Sequence, residues 1–186
     1  MALFSFFLAP IPLRSTIVVE MDLKALARNS CAIIVGDLLE IQKEWLPSDE
    51  VGGVPVVEAI LVIKVKKVFK SCSGMRVGDI IYVNRPGGSI GDSGTYIAGS
   101  PTFNSGTQLL LFLAQFQDNR FVITGLSQGK FRILKNKSTG KEEVVQDSAA
   151  RSVTVMNLKT GKMSEGSGIP DRMDFEKVSK ELENPS

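Results

Sequence analysis

Three short segments of this chain carry residue types that hydrolytic chemistry uses. Gly91-Asp92-Ser93-Gly94 has the four letters that surround the nucleophile in one class of serine proteases. Gly125-Leu126-Ser127-Gln128-Gly129 has the G-x-S-x-G pattern of a nucleophile elbow, and Ser127 to Lys130 spells S-x-x-K, in which a lysine could deprotonate a serine. A serine becomes a nucleophile only when a positioned base takes its proton. The chain contains no histidine, so a Ser-His-Asp triad cannot be built within one subunit. No helix pattern follows Gly129, as an elbow requires, and neither SDN nor KTG follows the S-x-x-K. These glycine-rich segments therefore read as turns. A serine hydrolase using Ser93 or Ser127 with an unusual base is the alternative function.

The missing histidines also remove the commonest metal ligand and the usual pH switch. Cys31 and Cys72 cannot close a metal site by themselves and are not in C-x-x-C spacing. The glycine-rich segment lacks the GK[ST] ending of a phosphate-binding loop. No catalytic residue, metal or cofactor is expected. Lys64, Lys66, Lys67 and Lys70 form a basic strip on one strand, but a net charge of +2 makes no global case for nucleic acid. Single-strand binders interleave such cations with stacking aromatics, and here only Phe69 is nearby, assigned to the inner face. A solvated face is the favoured reading of the strip, and an OB-type single-stranded nucleic-acid binder is a further alternative.

What remains is contact chemistry. Between Arg85 and Gly106 lie six glycines and two prolines, and Leu109 to Leu113 then run as five apolar residues. This reads as a long crossover loop feeding a buried strand, and loops on a rigid scaffold are where binding residues concentrate. The candidate binding residues are Trp45, placed in the first loop, with Arg85, Tyr96, Phe103 and the strip of Lys64, Lys66 and Lys70.

The elements that must position them follow from periodicity. Asp22 to Arg28 reads as a short helix capped by Asp22, with Leu23, Leu26 and Ala27 on one face. Ala32 to Ile41 is a strand that Gly36 bends or bulges. After a loop over residues 42–56, punctuated by Pro47, Gly52, Gly53 and Pro55, Val57 to Phe69 is a second strand with Ala59, Leu61, Ile63, Val65 and Phe69 inward. Asp79–Asn84, Gln108–Ala114 and Phe121–Thr124 are three more strands, the second of them central because it is apolar on both faces. Gly129–Leu134 and Glu142–Val145 form a further hairpin, and Ser152–Met156 a short strand. A C-terminal helix spans about residues 173–183, with Asp171 or Asp174 at its start and Pro185 as its stop. No internal repeat stands out.

The fold expected is mainly β: a small closed or partly open Greek-key barrel of the OB type, with a short N-terminal and a C-terminal helix. A β-sandwich is the competing architecture. The domain is placed at residues 17–146, with 147–186 an extension whose 161–171 stretch is flexible. Residues 1–16 are a candidate but degenerate signal segment: an apolar block from Ala2 to Ala9 with no preceding Lys or Arg. No apolar run is long enough for a transmembrane helix. Cys31 precedes the first strand and Cys72 follows the second. An antiparallel hairpin brings those ends together, so a Cys31–Cys72 disulfide is expected if the protein is exported, and two buried thiols otherwise.

Met21-Asp22-Leu23 through Gly36, Val65 to Ser71, Arg85 to Leu113 and Gly125 to Phe131 together resemble a group of exported bacterial proteins. That group carries the patterns MDL..L...S..IVVG, RPGG...G...G.P.F..G...LLFL and GLSQGKF. More remotely the layout is similar to the netrin-like module of tissue inhibitors of metalloproteinases, which is an OB-type barrel. Those inhibitors begin with Cys-x-Cys, which this chain lacks, so their zinc-chelating mechanism does not carry over. The resemblance implies a secreted or periplasmic barrel and no particular activity; a cytoplasmic location is the alternative. The expected function is a non-enzymatic, exported binding or interaction module for a protein or other extracellular ligand.

Overall fold

The structure is a computed structural model that describes residues 17–46, 56–117 and 119–184. The candidate signal segment 1–16, the punctuation from Pro47 to Pro55 and the Pro185 stop lie outside the described residues. β1 (Ile17–Val19) leads into α1 (Leu23–Asn29), where the Asp22 carboxylate accepts from the Ala25 amide at 2.6 Å, as an N-cap should. β2 (Ala32–Leu46) and β3 (Val56–Lys70) make a long antiparallel hairpin, and β4 (Ile80–Pro86) returns along β3. The crossover carries a small hairpin of its own, β5 (Gly88–Ile90) with β6 (Ser93–Thr95). β7 (Gln108–Gln117) and β8 (Arg120–Ile123) are antiparallel, as expected. The chain continues through β9 (Lys130–Lys135), β10 (Glu142–Gln146), β11 (Thr154–Met156), β12 (Met163–Glu165), β13 (Arg172–Asp174) and α2 (Phe175–Glu183).

Hydrogen bonding runs from β2 to β3, β4, β8 and β7, and from β7 back to β2. This is a ring of five strands, mainly-β with a helix at each end as the sequence suggested. The β4–β8 pair is parallel and the others are antiparallel. One edge of β7 serves two partners, β8 along Leu113–Gln117 and β9 along Leu109–Leu111. β9, β10 and β13 therefore leave the ring as a flap. β11 lies beside β1 in parallel and beside β12 in antiparallel fashion, so the C-terminal segment is tied to the N-terminal one.

Strand alternation builds two apolar clusters from the same strands. Ala32, Ile34, Leu109, Leu111 and Leu113 point into the ring and meet Leu61, Ile63, Ile81, Val83 and Phe121. Ile33, Val35, Leu110 and Phe112 point outward, where α1, α2, β9 and β10 cover them with Leu26, Val178, Leu182, Phe131 and Val144. Leu109 to Leu113 have no exposed surface at all, which is why that run is apolar without a break. Gly36 sits at a register shift against β3, and a Cβ there would lie 2.4 Å from the Ile63 Cγ2, so the close approach needs a glycine.

Several local expectations are corrected. Trp45 lies in β2, paired with Val57, because β2 continues past Ile41 as a paired ribbon. Phe69 packs with the outer cluster, since register shifts opposite Ile33 to Gly36 reverse the strand's phase after Val65. Within residues 161–171, Met163–Glu165 form β12 against β11, a strand the sequence reading did not place. A repeat also exists: Asn136-Lys-Ser-Thr-Gly-Lys141 and Asn157-Leu-Lys-Thr-Gly-Lys162 turn the β9–β10 and β11–β12 hairpins alike. Each asparagine Oδ1 accepts two backbone amides, at 2.9 and 3.1 Å from Ser138 and Thr139, and at 3.1 and 3.2 Å from Lys159 and Thr160.

Candidate functional site

The inward rows of the ring end in polar side chains at one mouth. On β4, Ile81 and Val83 point into the core, and Arg85 continues the same row. On β2, Ile41 packs against the inner cluster and Lys43 is the next residue of that phase. The registers Lys43↔Ala59 and Ala59↔Arg85 put these three residues side by side across three strands. Directly opposed residues of antiparallel strands share a face. Lys43 and Arg85 thus flank the small side chain of Ala59. The crossover roofs this row and leaves a cleft of about 540 Å³, walled also by Leu61, Tyr96 and Phe103.

Beneath Phe103 lies a buried ion pair. Lys130 Nζ is 2.5 Å from Asp147 Oδ2, with 3 % and 1 % of the two side chains exposed. Lys130 also donates to the Thr102 carbonyl, and its ammonium stands 4.8 Å from the Phe103 ring centroid. Lys130 pairs with Leu111, which points into the ring, so the lysine enters on the core side where β9 replaces β8 beside β7. Asp147 caps the 3-10 turn Ser148–Arg151 by accepting the Ala149 amide at 2.8 Å, and Thr102 Oγ1 reaches its other oxygen at 3.4 Å. One carboxylate therefore joins the crossover, β9 and the turn after β10. Burial holds the Lys130 ammonium below the ordinary lysine range, with Asp147 opposing that shift.

Arg85 donates to the Gly87 carbonyl at 3.0 Å, while its Nε is buried without a hydrogen-bond partner. Burial pushes its guanidinium below the ordinary range, offset in part by the field of Asp147. Lys43 donates to the Ser89 carbonyl at 2.9 Å. Among the described residues neither Lys43 nor Arg85 makes an ion pair, and no residue lining the cleft is acidic.

The cleft brings together three of the sequence candidates, Arg85, Tyr96 and Phe103. Tyr96 is 90 % exposed, whereas Phe103 is half-buried against the inner cluster. Trp45 belongs elsewhere, beside Phe116 and Arg120 in a second depression. The lysine strip is largely spoken for within the chain. Lys66 pairs with Asp37 at 3.3 Å, Lys67 with Glu183 at 2.8 Å, and Lys70 donates to the Ala27 carbonyl at 2.9 Å; Lys64 is exposed. Lys43, Lys130 and Asp147 escaped the sequence reading. Lys130 was visible only as the end of S-x-x-K, and Asp147 was not singled out. Lys43 fell in what read as loop.

The hydrolase-like segments resolve into turns. Gly91-Asp92 is the tip of the β5–β6 hairpin, and Ser93 is exposed in β6. Ser127 is fully buried with its Oγ unpartnered, while Lys130 is held by Asp147 and Thr102, so the S-x-x-K pair is not joined by a hydrogen bond. Gln128 gives this segment its structural role: its side chain accepts from the Met21 amide and donates to the Val19 carbonyl, both at 3.0 Å, which docks the end of β1. Cys31 and Cys72 form a disulfide with Cα atoms 5.3 Å apart, where the β2–β3 hairpin brings its two ends together. No described helix is long and apolar enough to cross a membrane. No protein-family model and no curated protein matches the chain.

Proposed function

We propose that this chain is a non-enzymatic, exported binding module, an OB-type ring whose mouth cleft takes a small extracellular ligand. The observation that carries the reading is the cleft of about 540 Å³ under the crossover, which gathers Arg85, Tyr96 and Phe103 over the end of the inner core. That volume lies within the usual range for one small ligand, and apolar lining with a few convergent polar groups is the usual composition of such sites. The five-stranded ring order supports the OB-type reading. The Cys31–Cys72 bond supports export, because such bonds persist in oxidising compartments. The lack of histidine, and the commitment of Lys130 to Asp147, support a role without covalent chemistry.

The test is an amide chemical-shift screen of the intact protein against a set of small neutral, cationic and anionic organic compounds. Binders should perturb Gly88, Tyr96 and Ile97 together, and Tyr96→Asp should weaken them. A set in which no compound of any charge moves those amides would overturn the cleft reading. Labelling by a fluorophosphonate probe that disappears in Ser93→Ala would instead support a hydrolase.

A further inference from the structure

The cleft has a charge pattern that specifies more than its size does. Its floor is the row Lys43, Ala59, Arg85, in which two cations stand on strands either side of a residue with no side chain beyond Cβ. Neighbouring strands lie about 4.8 Å apart, so the two backbones are about 10 Å apart with Ala59 between them. Neither cation has a carboxylate partner among the described residues. The acid whose field acts on Arg85, Asp147, is already bound by Lys130, Thr102 and the Ala149 amide. Arg85, Lys130 and Lys43 against Asp147 leave an excess of positive charge at the inner end of the cleft. A half-buried cation held away from water without a counter-charge is unfavourable, and an incoming anion relieves it. Ile41, Ile97 and Phe103 make one side of the remaining wall apolar, beside Thr95, Tyr96 and Thr102. Such a wall does not favour a strongly hydrated dianion, and it does favour a single carboxylate carrying a hydrocarbon body.

Resting on the binding-module reading above, we propose that the mouth of the ring is a site for a small organic acid. Its carboxylate seats between Lys43 and Arg85 over Ala59, and its apolar body lies against Ile97 and Phe103. Arginine suits this role because its planar fork matches a carboxylate edge. The Lys130–Asp147 pair supports the site from behind by fixing Thr102, and with it the crossover that carries Phe103.

Calorimetric titration of the intact, oxidised protein with octanoate, octanol and inorganic phosphate tests the assignment. Octanoate should bind at least about tenfold more tightly than octanol, a difference of about 1.4 kcal/mol. Lys43→Gln and Arg85→Gln should each remove most of that preference. Lys43 is exposed, so its variant keeps the test decisive should Arg85→Gln fold poorly. Equal binding of octanoate and octanol would overturn the carboxylate assignment and leave the binding-module reading standing. Displacement of octanoate by phosphate at equal concentration would overturn the preference for a monoanion. No binding of octanoate, with other compounds moving the cleft amides, would overturn the organic-acid site alone.

Discussion

Lys130 and Asp147 are the residues on which the cleft wall depends most directly. Each is almost fully buried, so removing one leaves the other charged and without its partner in a poorly solvated place. Asp147→Ala should therefore cost about 3–5 kcal/mol of folding stability by urea denaturation. The double change Lys130→Met with Asp147→Leu removes both charges and should recover most of that loss. If the double variant is as unstable as the single one, the pair is not what anchors the crossover. Asp174 offers a residue-scale test of the opposite, exposed kind. Its carboxylate caps α2 by accepting the Lys177 amide at 3.0 Å, and that hydrogen bond holds it below its ordinary value of 3.8. A depressed carboxylate stabilises the fold above the unfolded-chain value and loses that contribution as pH falls through the folded one. Acidification below 3.8 should thus destabilise the wild type more than Asp174→Asn, which keeps a capping oxygen but does not titrate there. Thermal melts of both proteins over an acidic pH series would show the curves converging.

At the scale of elements, the two Asn-x-x-Thr-Gly-Lys hairpins are nearly independent copies of one turn. Gly140 and Gly161 have φ of 72° and 67°, and a Cβ at either would meet nothing within 4 Å. Substitution therefore tests backbone strain without a steric clash. Gly140→Ala and Gly161→Ala should each cost about 1–2 kcal/mol, the usual penalty for an L-residue held in the left-handed region. The two hairpins share no strand, so the double variant should show the sum. Urea midpoints of the three variants would check this, and a clearly non-additive double would mean that the β9–β10 and β11–β12 hairpins are coupled. The ring strands respond differently. β7 contributes alternate residues to two cores at once, so its interior positions have no tolerant face.

For the whole molecule, the Cys31–Cys72 bond closes a loop of sequence separation 41 that contains the entire β2–β3 hairpin. In the chain-entropy account such a loop contributes about 4 kcal/mol. Reduction, or Cys31→Ser with Cys72→Ser, should lower stability by up to that amount while preserving the strand content seen by circular dichroism. Protein recovered from its native compartment should show no free thiol by non-reducing mass spectrometry. Two free thiols there would argue against export.

Much of the architecture was legible in the residues because it rests on local periodicity. Leu109 to Leu113 read as a strand buried on both faces, Asp22 as a cap, and Gly36 as a bend or bulge in the first strand. The cysteine pair was legible too, because a hairpin fixes which of its ends meet. The candidate site was half legible. Arg85, Tyr96 and Phe103 stood out by type within a turn-rich crossover. Lys43 did not, because nothing local distinguishes a strand that continues past its apolar residues from a loop. Lys130 and Asp147 are 17 residues apart in sequence, and their meeting beneath Phe103 depends on β9 taking the place of β8 beside β7. The sequence by itself determined the central strands, most of their apolar faces and the main turns, since those follow from side-chain size and backbone conformation within a few residues. Only the tertiary structure decided that two cations flank Ala59 at the mouth of the ring, because that row exists only through the register of three strands.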